Sequence, residues 1–330
     1  MRATGRLHIG NYFGALANWL EFQKKYDCFF MVADYHAMTT GDLSQKTLAE
    51  NTQQILLDWL SVGIDPAEAT VFVQSAVPEH AELFVILSMM TSLGWLERNP
   101  TYKEQRQELG DKYTGNLGFL GYPVLQTADV CLYKATKVPV GEDQKPHLEM
   151  GRELARRFNS TFGVNVFPEF EAILTPTPKM LGLDRRKMSK SYGNVIELSE
   201  NPDSIRKKIQ KMVTDVRRPR KEDPGHPEDC NVFYWHQLLT PGERVKEIER
   251  DCKGAILSCW DNKNALADRV IAWLEPIQRK RRELEANLDY VNDVARKGIA
   301  KAREVAAKTM DEVRQVVGLW GKIDSPTAAH

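Results

Sequence analysis

Two lysines three residues apart, in Lys187-Met188-Ser189-Lys190-Ser191, are the strongest chemical signal in this chain. Hydroxyl side chains lie between and after them, and Tyr192-Gly193-Asn194 follows, a pattern that predicts a mobile cationic loop. Such a loop can close on a triphosphate and stabilise the charge that develops on a leaving pyrophosphate. A solvated basic loop is the plainer interpretation of one Lys-x-x-Lys pattern, so the prediction needs a second signal elsewhere.

That second signal is the stretch Thr4-Gly5-Arg6-Leu7-His8-Ile9-Gly10-Asn11. Apolar residues recur at helical spacing after Asn11, which places the stretch at a helix N-terminus, where free N–H groups favour phosphate. Gly10 has no side chain to obstruct an adenine or a ribose. Only Met1-Arg2-Ala3 precedes it, too short for an ordinary first strand, so we expect a missing upstream segment.

The composition is that of an ordinary soluble protein of about two domains, with 42% apolar and 27% charged residues. Acidic and basic residues number 45 each, which does not exclude nucleic acid because local distribution decides binding. The apolar run Cys28–Ala33 is too short to span a membrane, and no signal peptide is recognisable. Five cysteines do not suggest a disulfide framework. We expect a cytoplasmic protein that binds neither membrane nor DNA.

Strands alternate with helices in the first half, which predicts a parallel sheet with right-handed crossovers. The predicted strands are Cys28–Ala33, Thr70–Val73 and Val138–Val140, and one predicted helix opens at Val124 with Pro123 in its first turn. Ligands gather at the carboxyl ends of such strands. Residues that follow a predicted strand or lie at its edge, and so belong to this candidate site, are His8, His36, Asp143 and Lys187.

The second half is helical and basic. Ile205–Lys221 holds eight Lys or Arg and one acidic residue, which indicates either an RNA phosphate footprint on a helix or a solvated helix face. Arg279-Lys280-Arg281-Arg282 is a second basic cluster. The last predicted helix, Ile299–Val317, carries an apolar stripe that must pack against another element.

Five blocks in this order resemble the tryptophanyl branch of the class I aminoacyl-tRNA synthetases. They are Thr4 to Asn11, Asp34-Tyr35-His36-Ala37, Tyr122 to Asp129, Val138 to Gln144, and Lys187 to Ser191. The resemblance implies an α/β fold, a Rossmann-like doubly wound parallel sheet, with a second, all-helical anticodon-binding domain. It places the catalytic domain at 1–186, the mobile loop at 187–194 and the helical domain at 195–298. It further implies a homodimer, and a final helix within 299–330 that packs back on the first domain.

The implied reaction joins L-tryptophan to ATP, releases pyrophosphate, and passes the amino acid to tRNA(Trp). Catalysis is then mostly positioning and charge stabilisation. The resemblance assigns catalytic roles to Lys187, Lys190, His8 and Asn11, although Asn11 replaces the last His of the usual motif. The residues it assigns to ATP are Arg2, Ala3, Thr4, Gly10, Asn11, Gly141, Glu142, Asp143, Met180, Lys187, Met188, Ser189, Lys190 and Ser191. Mg²⁺ accompanies the ATP, with no protein residues assigned to a metal.

Recognition of tryptophan requires one buried acceptor, since the indole N–H only donates. The resemblance assigns that role to Asp129, which read alone is equally a structural helix aspartate. It makes Tyr122, Val138 and Val140 the walls around the ring. His36 and Gln144 hold the amino-acid backbone or a nearby polar edge.

Three cysteines of the helical half, Cys230, Cys252 and Cys259, raise the question of an iron–sulfur cluster. Some relatives carry four cysteines there, but the fourth position here is Asn262. A cubane cluster needs four thiolates, so we expect ordinary semi-buried thiols.

Three alternative functions share the signatures. The tyrosyl branch has the same fold, although the Tyr122–Asp129 and Gly141–Gln144 blocks match the tryptophanyl side better. A small-molecule nucleotidyltransferase uses the same adenylyl chemistry but has no use for a basic helical half. An inactive RNA-binding relative is disfavoured by the intact Lys187, Lys190, Asp129 and Asp143.

Overall fold

The computed structural model describes residues 1–39, 45–110, 114–141, 144–174, 180–218 and 220–319. The strands are β1 Cys28–Val32, β2 Ala69–Val73, β3 Lys137–Val140 and β4 Glu171–Leu174. The helices of the first half are α1 Ile9–Asn11, α2 Ala17–Phe22, α3 Asp34–Met38, α4 Gln45–Val62, α5 Glu79–Ser88, α6 Leu93–Glu97, α7 Pro100–Leu109, α8 Leu117–Cys131 and α9 Lys145–Phe162. Those of the second half are α10 Pro202–Gln210, α11 Asn231–Leu239, α12 Gly242–Lys253, α13 Cys259–Glu285 and α14 Leu288–Val317. Within these residues no helix is long and apolar enough to cross a membrane.

The strands of the first half pair in parallel, β1 with β2 and β3 with β4. Phe72 and Val71 of β2 are buried, as expected for a strand covered on both faces. Helix α4 makes the crossover between β1 and β2. The first residues of the chain lie beside the end of β1, where Ala33 donates its N–H to the carbonyl of Met1 at 2.8 Å. Arg2 forms a single parallel bridge with Ala33.

The final helix, α14, lies against β2 and α5. A Cβ at Gly298 would come within 1.8 Å of the carbonyl oxygen of Val71, so only glycine permits this approach. Ala302 and Ala306 are fully buried on the same side, one and two turns further along. Small residues therefore let the helix approach the sheet closely, while the domain limits at 186 and 298 stay predictions.

Three predicted helix limits are wrong. The last helix, α14, begins at Leu288 and not at Ile299. Helix α8 begins at Leu117, because Asn116 accepts a hydrogen bond from the N–H of Phe119 at 2.8 Å and caps it there. Pro123 therefore lies inside the helix and not in its first turn. Helix α10 ends at Gln210, so the basic stretch 205–221 is not one helix.

A buried ion pair joins the two halves. Asp58 of α4 is fully buried and pairs with Arg281 of α13, which is 3% exposed. Asp58 also accepts the N–H of Leu7 at 2.8 Å, and Gln54 accepts a second N–H of the guanidinium. Burial raises the pKa of Asp58 to about 6, against the opposing effect of Arg281 and the Leu7 N–H. This pair fixes the long helix of the second half against the segment directly before His8.

Candidate active site

The first signature stretch forms a short helix start. Helix α1 begins directly after His8, whose N–H donates to Oδ1 of Asn11 at 3.0 Å. The Asn11 oxygen thus closes the turn, and its NH₂ group is the end that can donate to a ligand. A π-helical turn, Tyr12–Leu16, follows before α2. Such turns are rare and occur often at functional sites.

The two signature loops are in contact. Lys190 donates from Nζ to the carbonyl of Thr4 at 3.0 Å, and the N–H of Gly10 approaches Sδ of Met188 at 3.2 Å. A Cβ at Gly10 would lie 2.9 Å from Nδ1 of His8 and 3.1 Å from the same sulfur, so glycine is needed for the loops to pack. The pentad and the first helix start therefore lie side by side, in direct contact.

Asn194 gives the pentad loop its shape. Its buried side chain accepts the N–H of Ser189 at 2.8 Å and donates to Asp184 at 2.7 Å and to the carbonyl of Lys187 at 3.1 Å. The two lysines then point differently. Lys187 is exposed, whereas Lys190 is half-buried against Thr4, and this burial lowers its pKa. The hydroxyls of Ser189 and Ser191 are 2.8 Å apart.

His8 is buried beside these cations. Its pKa is lowered to about 4, first by burial and then by the positive charge of Lys190. The imidazole is therefore neutral near pH 7, and it can bind phosphate oxygen by hydrogen bonding without carrying a charge. Its Nδ1 is buried and has no hydrogen-bond partner within the described residues.

Asp129 is the centre of a second polar cluster, behind strand β2. His36 Nε2 lies 2.8 Å from its Oδ2, while His80 Nδ1 and Gln74 Nε2 lie 2.7 and 2.8 Å from its Oδ1. Burial favours the neutral acid, but His36 and then His80 outweigh it and hold the pKa of Asp129 below its ordinary value. The carboxylate is therefore ionised and already oriented.

The other residues predicted for tryptophan lie around this cluster. The rings of His36 and Tyr122 are 6.4 Å apart, and His147 joins the Tyr122 hydroxyl, at 2.9 Å, to Gln144, at 3.1 Å. Val138 and Val140 alternate with exposed residues and so share one face of β3. An apolar cavity of about 510 Å³ is lined by Asp129 and Val138 together with aromatic side chains of β1 and β2. Tyr122, His36, Val140 and Gln144 are not among its lining residues.

The remaining residues predicted for ATP lie in different parts of the first half. Met180 is buried, and its carbonyl accepts the N–H of Met188 at 3.2 Å, so it lies under the pentad. Gly141 is exposed just after β3. Arg2 and Ala3 lie at the end of β1, near the first loop. Glu142 and Asp143 lie outside the described residues.

Comparison with known proteins decides the family. The model of the class I tRNA synthetases for tryptophan and tyrosine (W and Y) matches residues 1–275. The chain belongs to this family. The tryptophan–tRNA ligase of Thermotoga maritima is 48% identical over 97% of the chain and 98% of the relative. That of Aquifex aeolicus is 41% identical with the same coverage of both.

A solved structure agrees with this class I tRNA synthetase assignment. The tryptophanyl-tRNA synthetase of Campylobacter jejuni, complexed with ADP and tryptophan, superposes with a TM-score of 0.89 at 33% identity. The match covers 97% of this chain and 98% of that one. The Rossmann-like fold with a helical second half is thereby confirmed.

Sequence reasoning missed several residues that organise this class I site. Gln74 and His80 hold Asp129, Tyr133 holds His80, and Asn194 holds the pentad. One signal was available, since Gln74 directly follows β2, at the edge where ligands gather. His80 and Tyr133 lie inside helices or just beyond their ends, and only the packing of α5 on α8 brings them together.

The basic stretch 205–221 is less available to RNA than predicted. Arg206 pairs with Asp268, Lys208 with Glu200, and Arg217 with Glu228. Arg218 is buried and donates to backbone carbonyls, including that of Leu257. The exposed cations of this stretch that pair with no carboxylate of the described residues are Lys207, Lys211, Arg220 and Lys221.

The cysteines of the second half are not disulfide-bonded. Cys230 and Cys252 are buried, which raises the pKa of both thiols, and Cys259 is partly exposed. Asn262 is buried at the fourth position. Within the described ranges, no group of three or more His, Cys, Asp or Glu side chains is placed to hold a metal ion. Whether a cluster binds stays a prediction.

Proposed function

We propose that this chain activates L-tryptophan with ATP and transfers it to tRNA(Trp). The observation that carries this proposal is the contact between the two signature loops, where Lys190 reaches the carbonyl of Thr4 at 3.0 Å. A cationic loop and a helix start that lie side by side can border one cleft and bind both ends of a triphosphate. The Campylobacter relative is described with ADP and tryptophan, which supports the same ligands here.

In the first step, the tryptophan carboxylate attacks the α-phosphorus and pyrophosphate leaves. Lys190, already directed into the cleft, and Lys187, on the exposed side of the loop, stabilise the charge that builds on pyrophosphate. Neutral His8 and the NH₂ group of Asn11 donate to phosphate oxygens. The protein supplies no covalent intermediate, so positioning accounts for most of the rate.

Magnesium enters with the nucleotide in this proposal. The described residues bring no group of carboxylates to the cleft that could hold the ion alone. Bound Mg²⁺ would supply charge neutralisation at the ATP phosphates. The residues of the chain bind and orient the nucleotide around it.

Asp129 recognises the indole. It is an ionised acceptor beside an apolar cavity of about 510 Å³, which is large enough for a small aromatic ligand. An amino acid whose side chain lacks a matching donor leaves this charge unsatisfied, and the site discriminates against it. Val138 lines this cavity. Tyr122, Val140, His36 and Gln144 do not line it, and their proposed role is to close the site around the bound amino acid.

Pyrophosphate exchange tests the proposal and separates it from its alternatives. Exchange that requires tryptophan, and that tyrosine does not support, is the expected result. Charging of tRNA(Trp) should follow. Exchange with tyrosine would identify the sister enzyme. Exchange that depends on neither amino acid would favour a different nucleotidyltransferase, and an absence of exchange would favour an inactive relative. Each of these outcomes would contradict the proposal.

The helical half binds the tRNA through the exposed, unpaired cations named above. We expect Lys211→Gln to weaken tRNA binding. The slope of log K against log salt concentration should fall by the amount expected for about one phosphate contact. Arg218→Gln is not a suitable control because Arg218 is structural, so Lys246→Gln on α12 provides the comparison. An unchanged salt slope for Lys211→Gln would contradict this assignment.

A second copy of the chain covers an apolar patch in the first half. Val85 of α5, Met89 directly after it, Leu93 of α6 and Leu117 of α8 are exposed. Helices α5 and α6 both pack on α8. Large apolar side chains grouped in this way indicate a protein interface. We expect a dimer by sedimentation, and a monomer after Met89→Asp. A wild-type monomer at working concentration would contradict a homodimer.

A further inference from the structure

The buried cluster around Asp129 contains more than the contact predicted for tryptophan. His80 is fully buried and connects two groups: its Nδ1 lies 2.7 Å from Oδ1 of Asp129, and its Nε2 lies 2.8 Å from the Tyr133 hydroxyl. Neither His80 nor Tyr133 belongs to the set predicted to contact ATP or tryptophan. Their geometry is that of a relay, from a hydroxyl through an imidazole to a carboxylate.

The Tyr133 hydroxyl determines which nitrogen of His80 carries the proton. When Tyr133 donates to Nε2, that nitrogen is an acceptor, and the imidazole carries its proton on Nδ1, which faces Asp129. The opposite tautomer would direct a lone pair at the carboxylate. Tyr133 is itself held by aromatic packing, with ring centroids 4.9 Å from Phe29 and 5.3 Å from Phe72.

The donors around Asp129 also select the place where a ligand can bind. A carboxylate has about four acceptor positions. Within the described residues, Oδ1 receives both His80 and Gln74, whereas Oδ2 receives only His36. Gln74 must direct its NH₂ group at the carboxylate, since its own oxygen would be repelled. The position that stays open is therefore on Oδ2, beside His36.

We infer that His80, fixed by Tyr133, is a positioning residue that reserves Oδ2 of Asp129 for the indole N–H of the substrate. This inference rests on the proposed function, because it assumes that tryptophan is the amino acid bound. His80 does not touch the substrate. It keeps the carboxylate from rotating. Selectivity for a substrate that carries the N–H group therefore depends on a residue that contacts Asp129 and not the substrate.

The test compares two substrates in pyrophosphate exchange. Tryptophan donates an N–H to Asp129, whereas β-(3-benzothienyl)alanine has a sulfur atom in place of that group. The measured quantity is the ratio of kcat/KM for tryptophan to kcat/KM for the analogue. We expect His80→Leu to lower this ratio about tenfold, because the acceptor is no longer held for the N–H. KM for ATP should change less than about twofold, because nothing at the nucleotide is altered.

Conservative variants distinguish positioning from simple support of the fold. The amide nitrogen of Asn occupies nearly the place of Nδ1, so His80→Asn should keep the ratio within about threefold of wild type. His236→Leu removes a different buried histidine, in α11, and should leave the ratio unchanged. If His80→Leu does not fold, Tyr133→Phe removes a single hydroxyl and should still lower the ratio about threefold.

Two kinds of failure can be told apart. A wild-type protein without tryptophan-dependent exchange would refute the proposed function itself. A wild-type protein that exchanges with tryptophan, together with variants that lose activity equally for both substrates, would refute only the role of His80. Loss of thermal stability with an unchanged ratio would likewise refute the role of His80 and leave the proposed function intact.

Discussion

Two buried aspartates in the first half have opposite properties. Asp58 lies at the junction with the second half, and burial raises its pKa to about 6 although Arg281 is its partner. Asp129 lies behind strand β2, and its pKa is lowered although its side-chain partners are two histidines and one amide. Burial alone therefore does not decide the charge of a carboxylate, because the groups that face it can outweigh the effect of burial. The number and aim of its hydrogen-bond donors matter as much.

The difference follows the roles of the two sites. Both oxygens of Asp58 are occupied, by Arg281 and by the N–H of Leu7, so the group closes a structural joint. Asp129 holds its charge at the edge of a cavity and keeps one acceptor position on Oδ2. One carboxylate stabilises the fold, whereas the other is the one we propose for ligand recognition.

The largest expected effect is on stability at the junction. Arg281→Met should lower the free energy of unfolding by about 3–5 kcal/mol, because it leaves a buried carboxylate without its cation. Urea denaturation measures this change. Asp58→Asn in the Arg281→Met background should recover most of the loss, since an amide still accepts the Leu7 N–H. A loss below about 1 kcal/mol in the single variant would show that the pair is not what holds the junction.

The corresponding change at the pocket should affect activity. Asp129→Ala should lower kcat/KM for tryptophan by about 100-fold, while KM for ATP stays within about threefold. Pyrophosphate exchange measures both values, and thermal unfolding checks that the variant folds. Unchanged tryptophan-dependent exchange would remove Asp129 from the site.

The raised pKa of Asp58 predicts a pH dependence of smaller size. The folded protein binds the Asp58 proton up to about pH 6, whereas an unfolded aspartate releases it near pH 3.8. The contribution of this group to stability is thus present below pH 3.8 and is lost as pH rises to about 6. Between these values the loss is on the order of 3 kcal/mol. Asp58→Asn should remove this slope from the difference curve, and an identical slope in the variant would contradict the assignment.

The smallest effect is expected at the outer partner of Arg281. Glu285 accepts from Nε of Arg281 at 2.9 Å, but its side chain is 46% exposed. Glu285→Gln should therefore change the free energy of unfolding by less than about 0.5 kcal/mol. Urea denaturation beside Arg281→Met provides the comparison, and a loss above about 2 kcal/mol would mean that Glu285 and not Asp58 anchors the guanidinium.

Sequence reasoning located the signature loops and most of the strands because both leave local patterns. Residues 28–32 and 69–73 form strands close to the predicted limits, since short apolar runs bounded by turns are typical of buried strands. The start of α8 was misplaced because a Pro signal outweighed the capping signal of Asn116. The basic stretch was read as one surface because spacing alone does not show which side chains pair with carboxylates.

The sequence by itself determined the chemistry available to this protein: two lysines in a loop and a glycine at a helix start, with an aspartate that only the family resemblance assigns to an indole. Motifs reveal this much because each depends on neighbours along the chain. Only the tertiary structure decided which lysine turns inward, which donors surround Asp129, and that Asp58 would meet Arg281. These contacts join residues far apart in sequence, and their energies depend on burial and aim, which no local pattern records.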